Sequence, residues 1–465
     1  MQQQKKESPK SPSSRSLAMQ TLVQWAGSGK PVQGVINRII HDSCLNNEDR
    51  QLAVMLVMGV LRGQEYLDIV ISRFSKTKLG KMKPLTLVAL RIGVLQLCCL
   101  ERIPDSAAVN ETVKALKKMR QPGWLCSFVN GTLRNIARNR EKIPEPECAG
   151  PQNTPVLNHP AWLTERWQKH FSEEKMRAIC QVNSLEPELC LQINPARTTR
   201  EQIAALFAEQ EITTTPGRYA PDSLLVHGQR GAVTNLSGFA DGLFQVQDQA
   251  ARLACSLLGP LKPQGRYLDG CAGLGGKTCA LAALLPEEAS LYAVEPEQRR
   301  FRLLQENLQR QQLDKQITVI QQELQAFTAA EDRIEDRLFD GILIDAPCSG
   351  TGVIRRHPDI RWNRLSEDFT GYQEKQLALL RTAAALVKPG GVLVYATCSL
   401  EPEENQQVVE QFLAAADAFE LTDCRAFLPD SAAFLVNADG FFAPLPTEEI
   451  EGFFAARLER KSNMI

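Results

Sequence analysis

Two short turns carry the cysteines whose surroundings best fit covalent chemistry. One turn is DAPCSGTG, with Asp345 and Cys348, and the other is ATCSL, with Cys398; each directly follows a predicted strand. A single cysteine is most often a small buried apolar side chain, but small polar residues flank both of these. A thiolate in such a turn is a candidate nucleophile. Because neither turn contains a histidine or a Cys-x-x-Cys pair, the sequence disfavours a Cys-His hydrolase, a zinc site and a redox pair.

A glycine-rich turn, DGCAGLGGKT at residues 269–278, follows the first strand of the same region. Glycines permit a tight turn and a close approach of the backbone to a ligand. A P-loop would need glycine at Cys271, and a dinucleotide fingerprint that starts at Gly273 would need glycine at Thr278. Glu295 follows the next strand, about twenty residues on, where an acidic group can bind ribose hydroxyls. The pattern predicts a nucleoside site that differs from both of those motifs.

These turns belong to a region, from about Leu236 onward, in which strands alternate with helices. The strands are short and apolar, as expected when both faces of a sheet are covered, so we predict a doubly wound parallel sheet. Ligands of such sheets bind beyond the carboxyl ends of the strands. If the fourth and fifth strands are neighbours, about 4.8 Å apart, the two thiols face one pocket. The predicted strands are 266–269, 291–294, 317–321, 341–344, 392–396 and 452–458, and the predicted helices are 250–258, 278–285, 298–312 and 372–387.

The sequence before this sheet divides into a helical part and a smaller mixed part. Apolar residues recur at helical spacing from Ser16 to about Arg140, with Pro84 in a first helical turn and Asp105 as a candidate N-cap. Five prolines between residues 141 and 160 predict a stiff linker. The next residues are predicted to form a small α+β segment, with helices at 165–181 and 200–210 and a strand at 189–193. The predicted organisation is a basic tail at 1–13, a helical domain at 14–142, a linker at 143–160, an α+β domain at 161–235 and an α/β domain at 236–465.

The net charge of −1 is an average over two unlike parts of the chain. Residues 1–150 carry a net charge of +11 and the remainder carries −12. This asymmetry favours a module that binds a polyanion, although basic helices can also be simply solvated. A composition of 43% hydrophobic and 23% charged residues is that of a globular protein, and no apolar run is long enough for a membrane span. Thirteen cysteines without a signal peptide predict a reducing cytoplasm.

The two cysteine turns, in their longer contexts, resemble those of a known family. DAPCSGTGVIRRHPDIRW (345–362) and YATCSLEPEEN (395–405) closely resemble RNA cytosine C5-methyltransferases that use S-adenosylmethionine. RIPDSAAVNETVK (102–114) and FVNGTLR (128–134) resemble the NusB-like domain of the RsmB (Sun/Fmu) branch, which methylates a cytosine of 16S ribosomal RNA. The resemblance spans residues 14–460. It implies an all-α NusB-like RNA-binding domain, a small α+β domain and a Rossmann-like class I methyltransferase domain with a mostly parallel seven-stranded sheet.

The resemblance also implies roles for individual residues. Cys398 is the expected nucleophile, which adds to cytosine C6 so that C5 can attack the methyl group; Cys348 assists product release, and Asp345 contacts the base edge. The cofactor S-adenosylmethionine is expected at Cys271, Ala272, Gly273, Leu274, Gly275, Gly276, Lys277, Glu295, Glu323 and Asp345. The family's usual Cys-Ala-Ala-Pro-Gly-Gly-Lys loop is here CAGLGGK, and glutamates stand at 295 and 323 where the family usually has aspartate. Arg355 and Arg356 are candidates for contact with RNA phosphates.

The expected partner is 16S ribosomal RNA, free or in an early small-subunit particle, with no metal, no membrane and a monomeric protein. Two other functions remain open from the sequence: a cytosine C5-methyltransferase of transfer RNA, and a non-catalytic RNA-binding assembly factor. A DNA-binding protein lacks support because no recognition-helix signature is present. RNA with unstacked bases fits better, since the target base must enter the pocket.

Overall fold

The computed structural model describes residues 12–228, 231–314, 317–329 and 338–462. It divides into two compact units, the first made of Met1–Leu185 with His357–Arg364 and the second of Glu186–Arg356 with Leu365–Ile465. Most of the predicted tail at 1–13 lies outside the described residues. Among the described helices, none combines the length and apolar character that a membrane crossing requires.

Unit 1 is helical, as predicted for its sequence. Pro84 begins α4, where a first turn tolerates it. The buried apolar residues of α1 and α3–α6 form one core. Its helices are α1 (Ser14–Trp25), α2 (Val32–Ile36, continued by a π-helical turn over Asn37–His41), α3 (Asn47–Phe74), α4 (Pro84–Cys98), α5 (Asp105–Lys118), α6 (Gly123–Arg138), α7 (Ala161–His170) and α8 (Glu173–Ser184).

Two details of unit 1 differ from the sequence prediction. The single helix expected at 165–181 is two helices, because the hydroxyl of Ser172 accepts the N–H of Lys175 and starts α8 there. Asp105 is the first residue of α5 rather than its cap; Pro104 precedes it, and the Asp105 carboxylate pairs with Arg140 at 2.7 Å.

The first part of unit 2 contains a small antiparallel sheet. Strands β1 (Leu189–Ile193), β2 (Thr214–Pro216), β3 (Ser223–Val226) and β4 (Phe244–Val246) lie in the order β2-β3-β1-β4. Helix α9 (Arg200–Ala208) begins with a capping box between Thr199 and Gln202. The prediction of β1 is confirmed, and the sheet takes its last strand from beyond the predicted boundary at residue 235.

The rest of unit 2 is built on the predicted seven-stranded, mostly parallel sheet, which is confirmed. The strand order is β10-β11-β9-β8-β5-β6-β7, with parallel pairing from β9 to β7, while β11 runs antiparallel to both of its neighbours. Edge strand β10 was not predicted. The strands are β5 (Arg266–Asp269), β6 (Ser290–Val294), β7 (Ile317–Ile320), β8 (Phe339–Asp345), β9 (Val387–Thr397), β10 (Phe419–Thr422) and β11 (Phe454–Arg460).

Two apolar clusters pack against this sheet, which explains why its strands are apolar on both faces. The helices of this part of the chain are, in order, α10 (Gln249–Ser256), α11 (Gly276–Ala282), α12 (Gln298–Arg310), α13 (Leu324–Ala329), α14 (Ile360–Asn363), α15 (Asp368–Ala385), α16 (Gln406–Leu413) and α17 (Asp430–Ala433). Of these, α14 belongs to unit 1. In the register of the sheet, Asp269 pairs with Leu343 and Asp345 pairs with Ala396. The turns after β5, β8 and β9 therefore meet at one edge.

Candidate functional site

The two predicted cysteines are brought together at this edge. The Sγ atoms of Cys348 and Cys398 lie 3.2 Å apart, and both side chains are half-buried. The expectation that β8 and β9 are neighbours is confirmed, and this adjacency places the thiols together. The hydrogen bond to Cys398 and burial raise the pKa of the Cys348 thiol well above its ordinary value. Cys348 therefore keeps its proton near neutral pH and can donate a hydrogen bond to the Cys398 sulfur.

A half-buried ion pair lies near the thiols. The Nζ of Lys277 is 2.7 Å from an Oδ of Asp345, and the ammonium also lies 5.3 Å from the centre of the Phe453 ring. Burial alone would lower the pKa of Lys277, but the attraction of Asp345 outweighs it and raises that pKa; Cys398 is close enough to contribute in the same direction. Lys277 is thus positively charged, and its ion pair with Asp345 links the glycine turn to the turn that carries Cys348.

The glycine turn after β5 has a backbone that only glycine adopts readily. Gly273 and Gly275 have φ angles of +57° and +90°, in the left-handed region. The N–H of Ala272 donates to the carbonyl of Val294 at 3.0 Å, which ties the turn to the end of β6. Leu274 is about half exposed, at 51%. Gly276 begins α11, so the turn opens directly into a helix.

Carboxylates surround Cys271 in this turn. Burial raises the pKa of the Cys271 thiol, and the negative charges of Asp269, Asp345, Glu295 and Glu323 raise it further. Glu295 is buried and follows β6, whereas Glu323 is exposed and follows β7. A group of carboxylates of this kind, at the carboxyl ends of parallel strands, suits a ligand that carries positive charge and hydroxyl groups.

Arg355 and Arg356 are engaged inside unit 2. The Arg355 guanidinium, 2% exposed, donates two hydrogen bonds to one carboxylate oxygen of Glu451 and a third to the carbonyl of Glu448. Arg356 lies 3.0 Å from the same carboxylate and 3.5 Å from that of Asp248. Both guanidinium groups thus pair with internal carboxylates, and their contact with RNA phosphates stays a prediction.

Sequence reasoning missed the polar residues that support the two cysteine turns. Ser349, Gln376, Ser399 and Glu404 form a buried hydrogen-bonded cluster directly below the thiols. Three of the four lie within the motifs that carried the family resemblance. Their hydrogen bonds to one another could not be predicted from the sequence, because they join positions up to 55 apart in the chain. No group of three or more His, Cys, Asp or Glu side chains among the described residues could hold a metal ion.

Comparison with known proteins gives a consistent result. The family model described as "16S rRNA methyltransferase RsmB/F" matches residues 256–459, the NusB family model matches residues 12–138, and the RsmF/B-like ferredoxin-like domain model matches residues 159–233. The chain is 31% identical to the probable ribosomal RNA small subunit methyltransferase B of Bacillus subtilis, over 97% of this chain and 100% of that protein. It is 36% identical to ribosomal RNA small subunit methyltransferase B of Pseudomonas putida, over 80% and 82% of the two chains. The crystal structure of PH0851 has the same fold, with a TM-score of 0.75 and 24% identity over 97% and 100% of the two chains.

Proposed function

We propose, on the premise that this chain belongs to the 16S rRNA methyltransferase RsmB/F family, that it methylates C5 of a cytosine in 16S ribosomal RNA. Membership makes it a methyltransferase of small-subunit ribosomal RNA that uses S-adenosylmethionine. The choice of cytosine C5 rests on one observation above all. Two thiols lie 3.2 Å apart at the ligand edge of the sheet, and a pyrimidine carbon needs such thiols because it is a poor nucleophile by itself.

The turn after β5 fits S-adenosylmethionine. This cofactor has a positively charged sulfonium, an ammonium group and ribose hydroxyls, and this edge of the sheet offers the carboxylates that surround Cys271. Residues 271–277 would hold it together with Glu295, Glu323 and Asp345, the two glutamates replacing the family's aspartates with the same hydrogen-bonding capacity. When bound there, it supplies an electrophilic methyl group.

Cys398 is the proposed nucleophile. Its sulfur forms a bond to C6 of the target cytosine, which moves the electron pair of the C5–C6 double bond onto C5 and makes that carbon able to attack. After C5 has gained the methyl group, its proton passes to a solvent water molecule, the double bond reforms and the bond between C6 and sulfur breaks. Cys398 then returns as a thiolate. Lys277 holds a positive charge within electrostatic reach of this sulfur throughout the cycle.

Cys348 and Asp345 have separate roles in the same adduct. Cys348 keeps its proton because the hydrogen bond to Cys398 and burial raise its pKa, so it can assist the departing sulfur. Asp345 is half-buried and anchored by Lys277 at 2.7 Å, which leaves its second carboxylate oxygen available for the base edge. A carboxylate near N3 favours protonation there, and that proton stabilises the electron-rich ring of the adduct.

Two alternatives remain to be separated from this proposal. A transfer RNA substrate would use the same chemistry, and the names of the relatives favour ribosomal RNA. A non-catalytic assembly factor would have no need of the thiol pair or of the Lys277–Asp345 pair.

The deciding experiment incubates the protein with labelled S-adenosylmethionine and undermodified 16S ribosomal RNA, free or in an early small-subunit particle, and maps the methylated nucleotide. Transfer RNA serves as the competing substrate. We expect 5-methylcytosine in ribosomal RNA, no transfer by Cys398→Ala, and a covalent RNA–protein adduct that accumulates with Cys348→Ala. Full activity of Cys398→Ala would contradict the assigned nucleophile, and absence of cofactor binding by calorimetry would contradict the enzyme itself.

A further inference from the structure

A fully buried carboxylate, that of Glu404, lies between the two cysteine turns. It belongs to the segment after β9, six residues beyond Cys398. The mechanism above does not use it, and it has no cation partner among the salt bridges of the described residues. A buried carboxylate without such a partner must be stabilised by hydrogen bonds.

Four donors supply those hydrogen bonds. One oxygen of Glu404 accepts the N–H of Ser349 at 2.8 Å and the side-chain amide of Gln376 at 3.1 Å. The other oxygen accepts the hydroxyls of Ser349 and Ser399, the latter at 2.5 Å. Ser349 directly follows Cys348, and Ser399 directly follows Cys398. A single carboxylate therefore binds the residue next to each thiol.

Further contacts hold this arrangement in place. Gln376, on α15, also donates to the carbonyl of Pro347 at 3.0 Å. Pro347 directly precedes Cys348, as Ser349 directly follows it. The amide of Asn405 donates to the carbonyl of Ser399 at 2.9 Å. The hydroxyl of Ser399 accepts the N–H of Glu401 at 3.0 Å, which leaves its proton free for Glu404.

An ionised carboxylate suits these donors best. It accepts at both oxygens, whereas a glutamine at the same position would present N–H donors to the two serine hydroxyls, which would have to turn and accept, and bonds to a neutral amide are weaker than bonds to a charged carboxylate. Burial raises the pKa of Glu404, and the hydrogen bonds from Ser349, Ser399 and Gln376 oppose that rise. The isosteric amide would therefore weaken the bonds to both serine hydroxyls, and so to both cysteine turns, without removing any apolar packing.

We propose that Glu404 is a positioning residue that holds the thiols of Cys348 and Cys398 at contact distance during methyl transfer. The link to methyl transfer rests on the proposed function, whereas the effect on thiol geometry does not. Glu404 acts through the two serines and does not touch the reacting atoms. The juxtaposition matters because Cys348 can assist product release only while it lies beside the sulfur bonded to the base.

Oxidative coupling of the two thiols tests the geometry without any methylation. Diazenedicarboxamide is added to the full chain: the two S–H hydrogens pass to its N=N bond, which becomes a hydrazine, and an S–S bond joins Cys348 to Cys398. Peptide mass spectrometry follows this one linkage among the thirteen cysteines. We expect Glu404→Gln to slow it about tenfold and to lower kcat for methyl transfer by a similar factor, with KM for RNA changed by less than about twofold.

The matched control is Glu410→Gln, the same substitution at an exposed residue of α16, which should leave the coupling rate and kcat unchanged. If Glu404→Gln does not fold, Ser399→Ala removes one link and should slow coupling about threefold. A folded Glu404→Gln protein, or a folded Ser399→Ala protein, that couples its thiols at the wild-type rate would overturn the proposal. Slowed coupling in a protein that methylates no cytosine would overturn the proposed function alone.

Discussion

The carboxyl group of Asp269, at the end of β5, is fully buried beneath the glycine turn. It accepts a hydrogen bond from the Thr278 hydroxyl at 2.8 Å and another from the N–H of Cys271 at 3.3 Å. Burial raises the pKa of Asp269 to about 6, although the Thr278 hydrogen bond opposes that rise. Both the first helical turn of α11 and the glycine turn therefore depend on one poorly solvated acid.

This raised pKa predicts a specific pH dependence of stability. An unfolded aspartate has a pKa of about 3.9, so the folded protein binds this proton more tightly, and the Asp269 contribution to stability grows as pH falls from 7 towards 4. Between pH 7 and pH 5 the gain should be about 1 kcal/mol. The Asp269→Asn variant lacks this titrating group. In urea unfolding, the difference in free energy of unfolding between wild type and variant should therefore shift by about 1 kcal/mol in favour of the wild type between pH 7 and pH 5. Asp417→Asn, at an exposed aspartate, controls for loss of one charge; an equal pH dependence in wild type and Asp269→Asn would contradict the prediction.

At the scale of elements, the turns after β8 and β9 meet through backbone as well as side chains. The N–H of Gly352 donates to the carbonyl of Cys398 at 2.9 Å, and its own carbonyl accepts the N–H of Gly452 at 2.9 Å. A Cβ at Gly352 would lie 2.9 Å from the Cys398 carbonyl oxygen and would also strike the backbone of Gly452. Glycine is required here because three chain segments approach one another closely.

Gly352→Ala should therefore displace the Cys398 turn. We expect kcat to fall by about 100-fold, since small misplacements of a reacting group cost that much. The control is Gly371→Ala on α15, where the new methyl group meets open space; it should keep full activity and gain about 0.5–1 kcal/mol of stability. Methyl-transfer assays and urea unfolding of both variants measure these effects, and near-normal activity of Gly352→Ala would refute the close-approach argument.

A second element-scale feature is the segment His357–Arg364, which is part of unit 1 although its sequence continues the DAPCSGTG motif. Arg361 is fully buried and donates to the carbonyls of Asn158 at 2.8 Å, Asn183 at 2.7 Å and Arg62 at 3.3 Å. Burial, assisted by the charge of Arg62, lowers the pKa of Arg361 to about 9. The indole N–H of Trp362 donates to the carbonyl of Leu61 at 2.7 Å. This segment thus joins α3, the linker and α8.

Arg361→Met should destabilise unit 1 by about 2 kcal/mol, because three carbonyls lose their donor in a buried place. Urea unfolding followed by the intrinsic fluorescence of the tryptophans measures the loss. Lys175→Met on α8, where the side chain is exposed, removes the same charge and should change stability by less than about 0.5 kcal/mol. Equal unfolding midpoints for the two variants would show that Arg361 does not hold these elements.

At the scale of the whole molecule, positive charge is concentrated in the first 150 residues, which carry +11, against −12 in the rest. Exposed lysines at the start of α4 belong to this charge, among them Lys81 and Lys83, and the exposed ring of Trp124 lies 6.0 Å from the Lys83 ammonium. RNA binding by such a surface releases counterions, so affinity falls as salt rises. The acidic remainder holds the carboxylates that we propose bind the cofactor.

Replacing Lys81 and Lys83 together by alanine should weaken binding of the full chain to 16S ribosomal RNA. Each lost phosphate contact should reduce the slope of log affinity against log salt by about 0.7. The control is Arg299→Ala with Arg302→Ala, two exposed cations of α12 in the acidic part of the chain, which should change the slope less. Filter binding at several salt concentrations measures both, and equal slopes for the two double variants would remove the distinction between the parts.

Local sequence pattern determined the class of most elements and the identity of the central thiols. Strand β5 and the first residue of α12 coincide with their predicted positions, because apolar runs and capping residues act within a few positions of the chain. Cys348 and Cys398 were predictable as a pair, because turns that follow adjacent parallel strands must end at the same edge. Edge strand β10 was not predicted, because its four residues, FELT, are too short a run with two polar positions to stand out in the sequence.

Tertiary structure alone decided what the remaining polar residues do. Arg355 and Arg356 pair with Glu451, about 95 residues away in the chain. Glu404 joins two turns whose serines lie 50 residues apart, and Arg361 belongs to unit 1. The physical reason is the same in each case. A charged or hydrogen-bonding side chain is defined by the partner that satisfies it, and that partner is chosen by long-range packing, which a pattern of neighbouring residues does not contain.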